Sequence, residues 1–208
     1  MGRRALQHHL HHDDLPAGLD FGKSVAVDSE TMGLDPLRDR LCLIQLSAGD
    51  GVCHLVQFRG GNYSAPRLKA LLADPEVTKL FHFARFDLAA IQHYLGVTCG
   101  PVYCTKIASR LARTFTDRHG LKDLCRDLLG VEISKQMQSS DWGAAELSEE
   151  QLRYAASDVF YLHRLREALD TMIEREGRTE LARACFEFLP ARAALDLAGW
   201  ADVDIFAH

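Results

Sequence analysis

Four acidic residues in three separate segments are the part of this sequence best suited to chemistry. Asp28 and Glu30 lie in VAVDSETMGL, Asp87 lies in FHFARFDLAAI, and Asp158 lies in YAASDVFYL. Carboxylate oxygens are the preferred ligands of Mg²⁺ and Mn²⁺. Two such ions about 3.5–4 Å apart can stabilise both the attacking and the leaving oxygen of a phosphodiester. If the four side chains meet in one cleft, they predict a site for two divalent cations, Mg²⁺ or Mn²⁺, and nuclease chemistry.

The first two segments place their acids where strands end. Asp28 and Glu30 are two residues apart after an apolar run, so both side chains leave the strand on the same face. A strand end that enters a polar loop would give the same pattern. Asp87 stands where a strand passes into a helix and could face a cleft over the sheet. The alternative for Asp87 is an acid at a helix start, favoured by the helix dipole.

The third segment adds a phenol one helical turn before its acid. Tyr154 and Asp158 are four residues apart, so they share one face of a helix. With an ordinary pKa near 10, a phenol is a poor general base at neutral pH. We therefore expect Tyr154 to orient a water molecule, and the alternative is a ring packed in the core. His82, between two aromatic residues in a strand, is either a core group or a binding group.

Apolar periodicity and turn residues predict the elements that position these side chains. Strands are predicted at 25–28, 41–47, 52–56 and 78–83. Helices are predicted at 66–72, 86–94, 105–113, 120–129, 148–176 and 180–188, with a capped start at Ser148. These elements predict a mixed sheet flanked by helices, an α/β or α+β layer architecture.

Length and composition limit the kind of protein. With 208 residues, 47% of them hydrophobic, we expect a single domain over 1–208, with a lead-in at about 1–13 and a helical part at about 175–208. The histidines at 8, 9, 11 and 12 belong to a strand or to a flexible lead-in. No apolar run suits a signal peptide or a membrane span, so we expect a cytoplasmic protein that does not engage membranes. Six cysteines without a CxxC pair predict reduced, buried thiols.

The net charge of −5 is unusual for a protein that handles nucleic acid. The acidic segments contribute to this total and would be neutralised by metal. Residues 103–126 hold six Lys or Arg against two Asp, a local net charge of +4. This segment is either a phosphate-facing surface or an ordinary solvated helix face.

The coincidence of the three acidic segments identifies a family. VAVDSET, HFARFD and YAASD resemble the exonuclease motifs of the DEDD superfamily of 3′-5′ exonucleases, in the version with Tyr in the third motif. LCLIQLS, CTKIASRLARTFTDRHGLKDL, ISKQMQSSDWG and LSEEQLRYAASDVFYLHRL are similar to the ribonuclease D branch. The closing FLPARAALDLAGWADVDIFAH resembles the short nano-RNase C type. Departures are small: Ser29 stands where Thr is commoner, and Met137 interrupts a usually polar stretch.

The resemblance implies an RNase H-like fold and two-metal hydrolysis from the 3′ end, with release of nucleoside 5′-monophosphates. By motif, Asp28, Glu30, Asp87 and Asp158 would hold the metals and Tyr154 would position the attacking water. It also implies short RNAs, including dinucleotides, as substrates, and a homo-oligomer, an octameric ring. From the length we expect no helical RNA-binding domain after the tail.

Several residues near the acids are candidates for substrate contact. An apolar side chain after the first acids could wedge against the terminal base, and a Gly there would let backbone approach it. Polar residues before the third motif could reach phosphate and ribose. The predicted set is Met32, Gly33, Leu34, His82, Lys135, Gln138, Ser139 and Trp142. A glycine turn with flanking core residues is the alternative for the first three.

The acids alone do not choose among three functions. Each phosphate that the protein neutralises adds to its affinity for a nucleic acid. A net-acidic chain should therefore favour a substrate with few phosphates, such as a short single-stranded RNA. A 3′-5′ exonuclease acting on DNA would use the same acids, and only contacts to the 2′-hydroxyl would separate the two. A silent nucleic-acid-binding or scaffolding domain is disfavoured, since a binder has no need for four converging carboxylates. The tail residues Trp200, Ile205 and Phe206 either pack on their own domain or form an interface.

Overall fold

The structure is a computed structural model that describes residues 6–133, 137 and 139–207. Within this part of the chain the strands are β1 (Gln7–His12), β2 (Ser24–Thr31), β3 (Leu41–Ser47), β4 (Val52–Gln57), β5 (Thr78–Phe81) and β6 (Val102–Cys104). They form one sheet in the order β1-β4-β3-β2-β5-β6. β3 is antiparallel to both of its neighbours, and the other pairs are parallel. The predicted mixed sheet is therefore confirmed.

Helices cover both faces of this sheet. They are α1 (Pro66–Ala73), α2 (Ala84–Ala90), α3 (Thr105–Ala112), α4 (Leu121–Leu129), α5 (Glu149–Phe160), α6 (Leu162–Arg175) and α7 (Thr179–Leu195). One core joins the sheet to α1, α2 and the end of α7. A second core joins the opposite face to α3, α4, α5 and α6. β3 is buried along its whole length because both of its faces are covered.

The alternation of side chains along β2 decides where the acids lie. Val25 and Val27 belong to the core beneath α2, and Ala26 belongs to the core beneath α5. A strand has a period of two. Asp28 and Glu30 therefore share the α5 face with Ala26, and Ser29 faces the side of α2.

The helix predicted over residues 148–176 is wrong in one respect, since it is two helices. Tyr161 ends α5 with backbone angles of φ −103° and ψ −4°, and α6 begins at the next residue. No Pro or Gly marks this break in the sequence. It occurs because α5 packs on the sheet whereas α6 packs on α3 and α4. The capped start is confirmed: Ser148 Oγ accepts from Gln151 N, and Gln151 Oε1 accepts from Ser148 N.

Two other helices differ from the prediction by more than one residue at an end. α2 begins at Ala84, two residues early, because Phe83 forms its N-cap. α7 continues past Pro190 to Leu195, although proline removes one hydrogen bond of a helix interior. The burial of Leu189 and Ala193 on either side of Pro190 explains why the helix persists.

The chain ends differ in how they are held. For the N-terminal histidines the strand alternative is observed, since residues 7–12 form β1 and pair with β4. The apolar tail residues Trp200, Ile205 and Phe206 are exposed, so the alternative of packing in the core of their own domain is not observed. Arg85 and Arg192 instead hold the tail through hydrogen bonds to backbone oxygens at residues 200 and 201.

The cysteines are free, and five of the six are buried, as predicted; Cys185 is half-buried. Over the described ranges no helix is long and apolar enough to cross a membrane.

Candidate active site

The end of β2 and the third turn of α5 bring three carboxylates together. Asp28, Glu30 and Asp158 each offer an oxygen, and these oxygens lie within 4.8 Å of one another. α5 packs across β2, β3 and β4. Asp158 therefore reaches the strand face that carries the other two acids. These three side chains are called the carboxylate cluster below.

Asp87 approaches the carboxylate cluster from the other side of the sheet. Its side chain is buried, 3% exposed, and Ser29 Oγ donates to its Oδ1 at 2.6 Å. Ser29 lies between the two β2 acids in sequence and points to α2, so it links Asp87 to the strand. Asp87 is not one of the three mutually close acids, but burial, and then the Asp28 charge, raises its pKa. The structure thus brings the four predicted acids to one end of β2, from two layers.

Burial and mutual repulsion act on all of these carboxyl groups. Burial raises the pKa of Asp28 to about 7. Burial, and then the charges of Asp28, Asp158 and Asp87, raise the pKa of Glu30 to about 10. The pKa of Asp87 is raised well above its usual range by burial first. Charged carboxylates in this position are costly without a counter-charge.

The donor set fits a hard divalent cation. The three clustered groups offer only carboxylate oxygens, which suit Mg²⁺ and Mn²⁺ better than metals that prefer nitrogen or sulfur ligands. Gln45, opposite Asp28 on β3, points its amide Nε2 at Asp28 Oδ2 at 3.5 Å. A cation held by these oxygens would also relieve the repulsion that raises their pKa values.

Tyr154 lies one turn before Asp158 and faces the carboxylate cluster. Burial, and then the charges of Asp158 and Glu30, raise its pKa. The phenol is therefore protonated at neutral pH and can donate a hydrogen bond. Its ring packs against the Trp142 indole, with 6.1 Å between ring centroids.

A sequence profile described as 3′-5′ exonuclease matches residues 12–174, which is most of the chain. The chain belongs to the 3′-5′ exonuclease family. The matched part of this exonuclease contains the four acids and Tyr154.

Similar proteins show to which branch of the family the chain belongs. The chain is 38% identical over 156 residues to ribonuclease D of Gluconacetobacter diazotrophicus, which covers 75% of this chain and 39% of that protein. It thus spans about two fifths of the length of that relative. Structures of Brucella melitensis NrnC match over nearly both whole chains. The NrnC structure with bound Mg²⁺ is 55% identical, with a TM-score of 0.93 over 97% of this chain and 99% of the other. The NrnC structure bound to pGG is 56% identical, with a TM-score of 0.95 over 98% and 100%.

These comparisons confirm the resemblance to the ribonuclease D branch and its nano-RNase C type, together with the RNase H-like fold. The remaining candidate residues that the structure describes differ in burial.

The segment after Glu30 exposes its apolar residues. Leu34 is 86% exposed and Met32 is 50% exposed, which suits a side chain that meets substrate. At Gly33 the structure supports the alternative of a glycine turn, since a Cβ added there would overlap the Asp39 carboxylate. The absence of a side chain at Gly33 lets its own loop close, with Thr31 Oγ1 donating to the Gly33 oxygen.

Trp142 does not fit the prediction of a substrate contact. Its side chain is only 2% exposed, in the second core behind Tyr154. The polar residues around it in sequence indicate a surface, but the indole is large and apolar and its burial stabilises the fold. Trp142 therefore supports Tyr154 from behind. Ser139 is exposed, and Lys135 and Gln138 lie outside the described residues.

His82 is anchored at the end of β5. Its ring Nδ1 is 2.9 Å from Thr105 Oγ1, and Thr105 Oγ1 in turn donates to the Phe81 oxygen. His82 is half-buried, so the structure allows both the core and the binding interpretation.

The basic segment 103–126 is partly neutralised by ion pairs. Arg113 is buried and pairs with Asp127 at 2.7 Å. Arg126 pairs with both Asp123 and Asp127 at 2.9 Å. Arg113 connects the end of α3 to α4, whereas the Arg126 pairs lie within α4. Any phosphate-facing surface here is therefore smaller than the charge count indicates.

Sequence reasoning noted Ser29 only as a departure from the family pattern and missed Gln45. An Asp-Ser-Glu order on a strand does signal that Ser29 faces away from its neighbours. Its partner on α2 is 58 residues away, and nothing local points to it.

Proposed function

We propose that this chain is a divalent-metal-dependent 3′-5′ exoribonuclease. It would hydrolyse short RNA oligonucleotides, including dinucleotides, to nucleoside 5′-monophosphates. The observation that carries the proposal is the carboxylate cluster of Asp28, Glu30 and Asp158, with Asp87 adjoining it. The family match and the full-length similarity to Brucella melitensis NrnC support it.

We assign the four acids as ligands for two divalent cations, Mg²⁺ or Mn²⁺. A structure of the similar NrnC contains Mg²⁺. When bound, two such ions stabilise the attacking and leaving oxygens of a phosphodiester. Ser29 and Gln45 fix the orientations of Asp87 and Asp28, which keeps the donor oxygens in place.

Tyr154 positions the attacking water in this proposal. Its raised pKa keeps the phenol protonated, so it donates to the water and does not remove its proton. The Trp142 indole packed behind it limits the motion of the ring. Leu34, exposed and only four residues after Glu30, is the side chain placed to wedge against the terminal base.

Short RNA is the favoured substrate. The similar NrnC has been solved with pGG. Ion pairing of Arg113 and Arg126 also leaves this chain fewer free cations for a long phosphate backbone. We further propose that the whole chain acts as one domain in the cytoplasm and assembles as a homo-oligomer, an octameric ring. The exposed Trp200, Ile205 and Phe206 are available for such an assembly.

The proposal is tested by digestion of 5′-labelled RNA and DNA of about two to twenty nucleotides with Mg²⁺, Mn²⁺ or EDTA. Stepwise loss from the 3′ end, metal dependence, and faster turnover of the shortest RNAs are expected. Equal activity on DNA would contradict the preference for RNA. Greater activity on DNA would favour the alternative of a 3′-5′ exonuclease acting on DNA. Activity that persists in EDTA would exclude the metal assignment. Native mass measurement of the same preparation tests the octamer.

Tyr154→Phe is expected to lower the rate constant of hydrolysis by about 10²-fold or more, a typical cost of losing a group that positions the reacting water. Metal affinity should not change, because the phenol is not a ligand. Single-turnover hydrolysis and Mn²⁺ titration measure the two effects. A weaker metal affinity with an unchanged rate would make Tyr154 a structural support only.

Ser29→Ala is expected to lower activity about tenfold, because Asp87 loses the hydroxyl that orients it and a buried carboxyl group loses a hydrogen bond. Ser29→Thr retains the hydroxyl and should stay close to wild type. The comparison uses turnover of one dinucleotide at saturating Mg²⁺. Equal activity of the Ala and Thr variants would show that the hydrogen bond does not position Asp87.

A further inference from the structure

Phe83 has an unusual backbone and an unusual exposure. Its φ of 71° and ψ of 43° put it in the left-handed region, where bulky side chains are rare. The residue is 46% exposed. Residues held in sparsely populated backbone conformations cluster at functional sites, and an exposed aromatic ring is accessible to a ligand.

Its location connects it to the acids. Phe83 follows His82 at the end of β5 and forms the N-cap of α2, one turn before Asp87. The Phe86 N–H donates to the Phe83 oxygen at 3.2 Å. The backbone that presents the Phe83 ring is thus the same short segment that places Asp87 beside Ser29.

A cation lies on the ring. Lys106 Nζ is 4.0 Å from the centre of the Phe83 ring. Lys106 is adjacent to Thr105, whose hydroxyl contacts His82. Two neighbouring residues of α3 therefore contact two neighbouring residues before α2. Lys106 Nζ covers one face of the Phe83 ring, so an apolar surface and a positive charge lie together at the start of the helix that carries Asp87.

We propose that the Phe83 ring stacks on a nucleobase of the short RNA and that Lys106 binds the adjoining phosphate. This inference rests on the proposed exonuclease function and names a substrate-binding residue for it. Stacking on an aromatic ring is tolerant of base identity, and a lysine beside it adds an attraction for phosphate. Phe83 lies outside the core beneath α2 and is exposed, so its ring is accessible to a base.

The experiment compares Phe83→Asn, Phe83→Tyr and Phe115→Ala on a dinucleotide. Asn tolerates the left-handed conformation, so Phe83→Asn removes the ring without new backbone strain. Phe115→Ala is the matched control, because Phe115 is 75% exposed with the Arg113 guanidinium 5.8 Å from its ring centre. Phe83→Asn should raise KM about tenfold or more with kcat within about threefold, while the other two variants stay near wild type.

Abasic substrates identify the stacked base. In wild type, removing the base that contacts Phe83 should raise KM, and in Phe83→Asn the same removal should have no further effect. An unchanged KM in Phe83→Asn, with an active wild type, would overturn this inference and leave the proposed function intact. A changed native mass with unchanged KM would assign the ring to contacts between copies and also overturn it. An inactive wild type would refute the proposed function itself.

Discussion

Replacing Asp158 by Asn should lower hydrolysis of a dinucleotide by about 10³-fold or more while leaving the protein folded. Asp158 is the one member of the carboxylate cluster supplied by α5. The amide has nearly the same shape but carries no charge, so it binds a divalent cation poorly. A loss of several kcal/mol of transition-state stabilisation corresponds to this change in rate. Single-turnover assays at saturating Mg²⁺ measure it, and circular dichroism checks the fold.

Glu150→Gln is the matched control for Asp158→Asn. Glu150 lies in the first turn of the same helix and is exposed. Its substitution removes one negative charge from α5 without touching the carboxylate cluster. Rates near wild type are expected for Glu150→Gln. Similar losses in both variants would indicate a general charge effect, and wild-type rates for Asp158→Asn would remove Asp158 from the metal site.

The sequence predicted the sheet and most helices because their signals are local. The apolar run of β3, the GDG turn before β4 and the Ser148 capping box each act over a few residues. The break at Tyr161 has no such local signal. It depends on α5 and α6 packing against different partners, and packing of this kind overrides helix propensity.

The acids were predictable because the strand and helix periods place them on common faces, Asp28 with Glu30 and Tyr154 with Asp158. The residues that hold these acids and Tyr154 in place could not be predicted from the sequence. The Ser29 contact to Asp87 exists only once α2 is docked on the sheet. The Trp142 segment is polar in sequence, yet its indole is buried. Burial of a single large ring is decided by the shape of the core, which no pattern of neighbours specifies.

Replacing the Glu30 carboxyl group by a neutral amide should stabilise the metal-free protein. In EDTA, burial, and then the charges of Asp28, Asp158 and Asp87, raise the pKa of Glu30 to about 10, so folding at neutral pH requires this group to take up a proton. Glu30→Gln is neutral at every pH, so it removes this cost and keeps the side-chain volume. A gain of about 1–3 kcal/mol, or about 3–8 °C in the melting temperature of a chain of this size, is expected. Thermal unfolding in EDTA at neutral pH measures it.

The gain in stability on adding Mg²⁺ should be smaller in Glu30→Gln than in wild type. Wild type should gain about 3 kcal/mol when Mg²⁺ is present at about a hundred times its dissociation constant, because the ion binds only the folded state. Glu30→Gln should lose most of that gain, since one ligand is missing. Glu150→Gln, exposed on α5, should keep the full Mg²⁺ response with no gain in EDTA. Acids that destabilise the protein in EDTA and stabilise it with Mg²⁺ are arranged to bind the ion. Equal Mg²⁺ responses in wild type and Glu30→Gln would mean that the ion binds elsewhere.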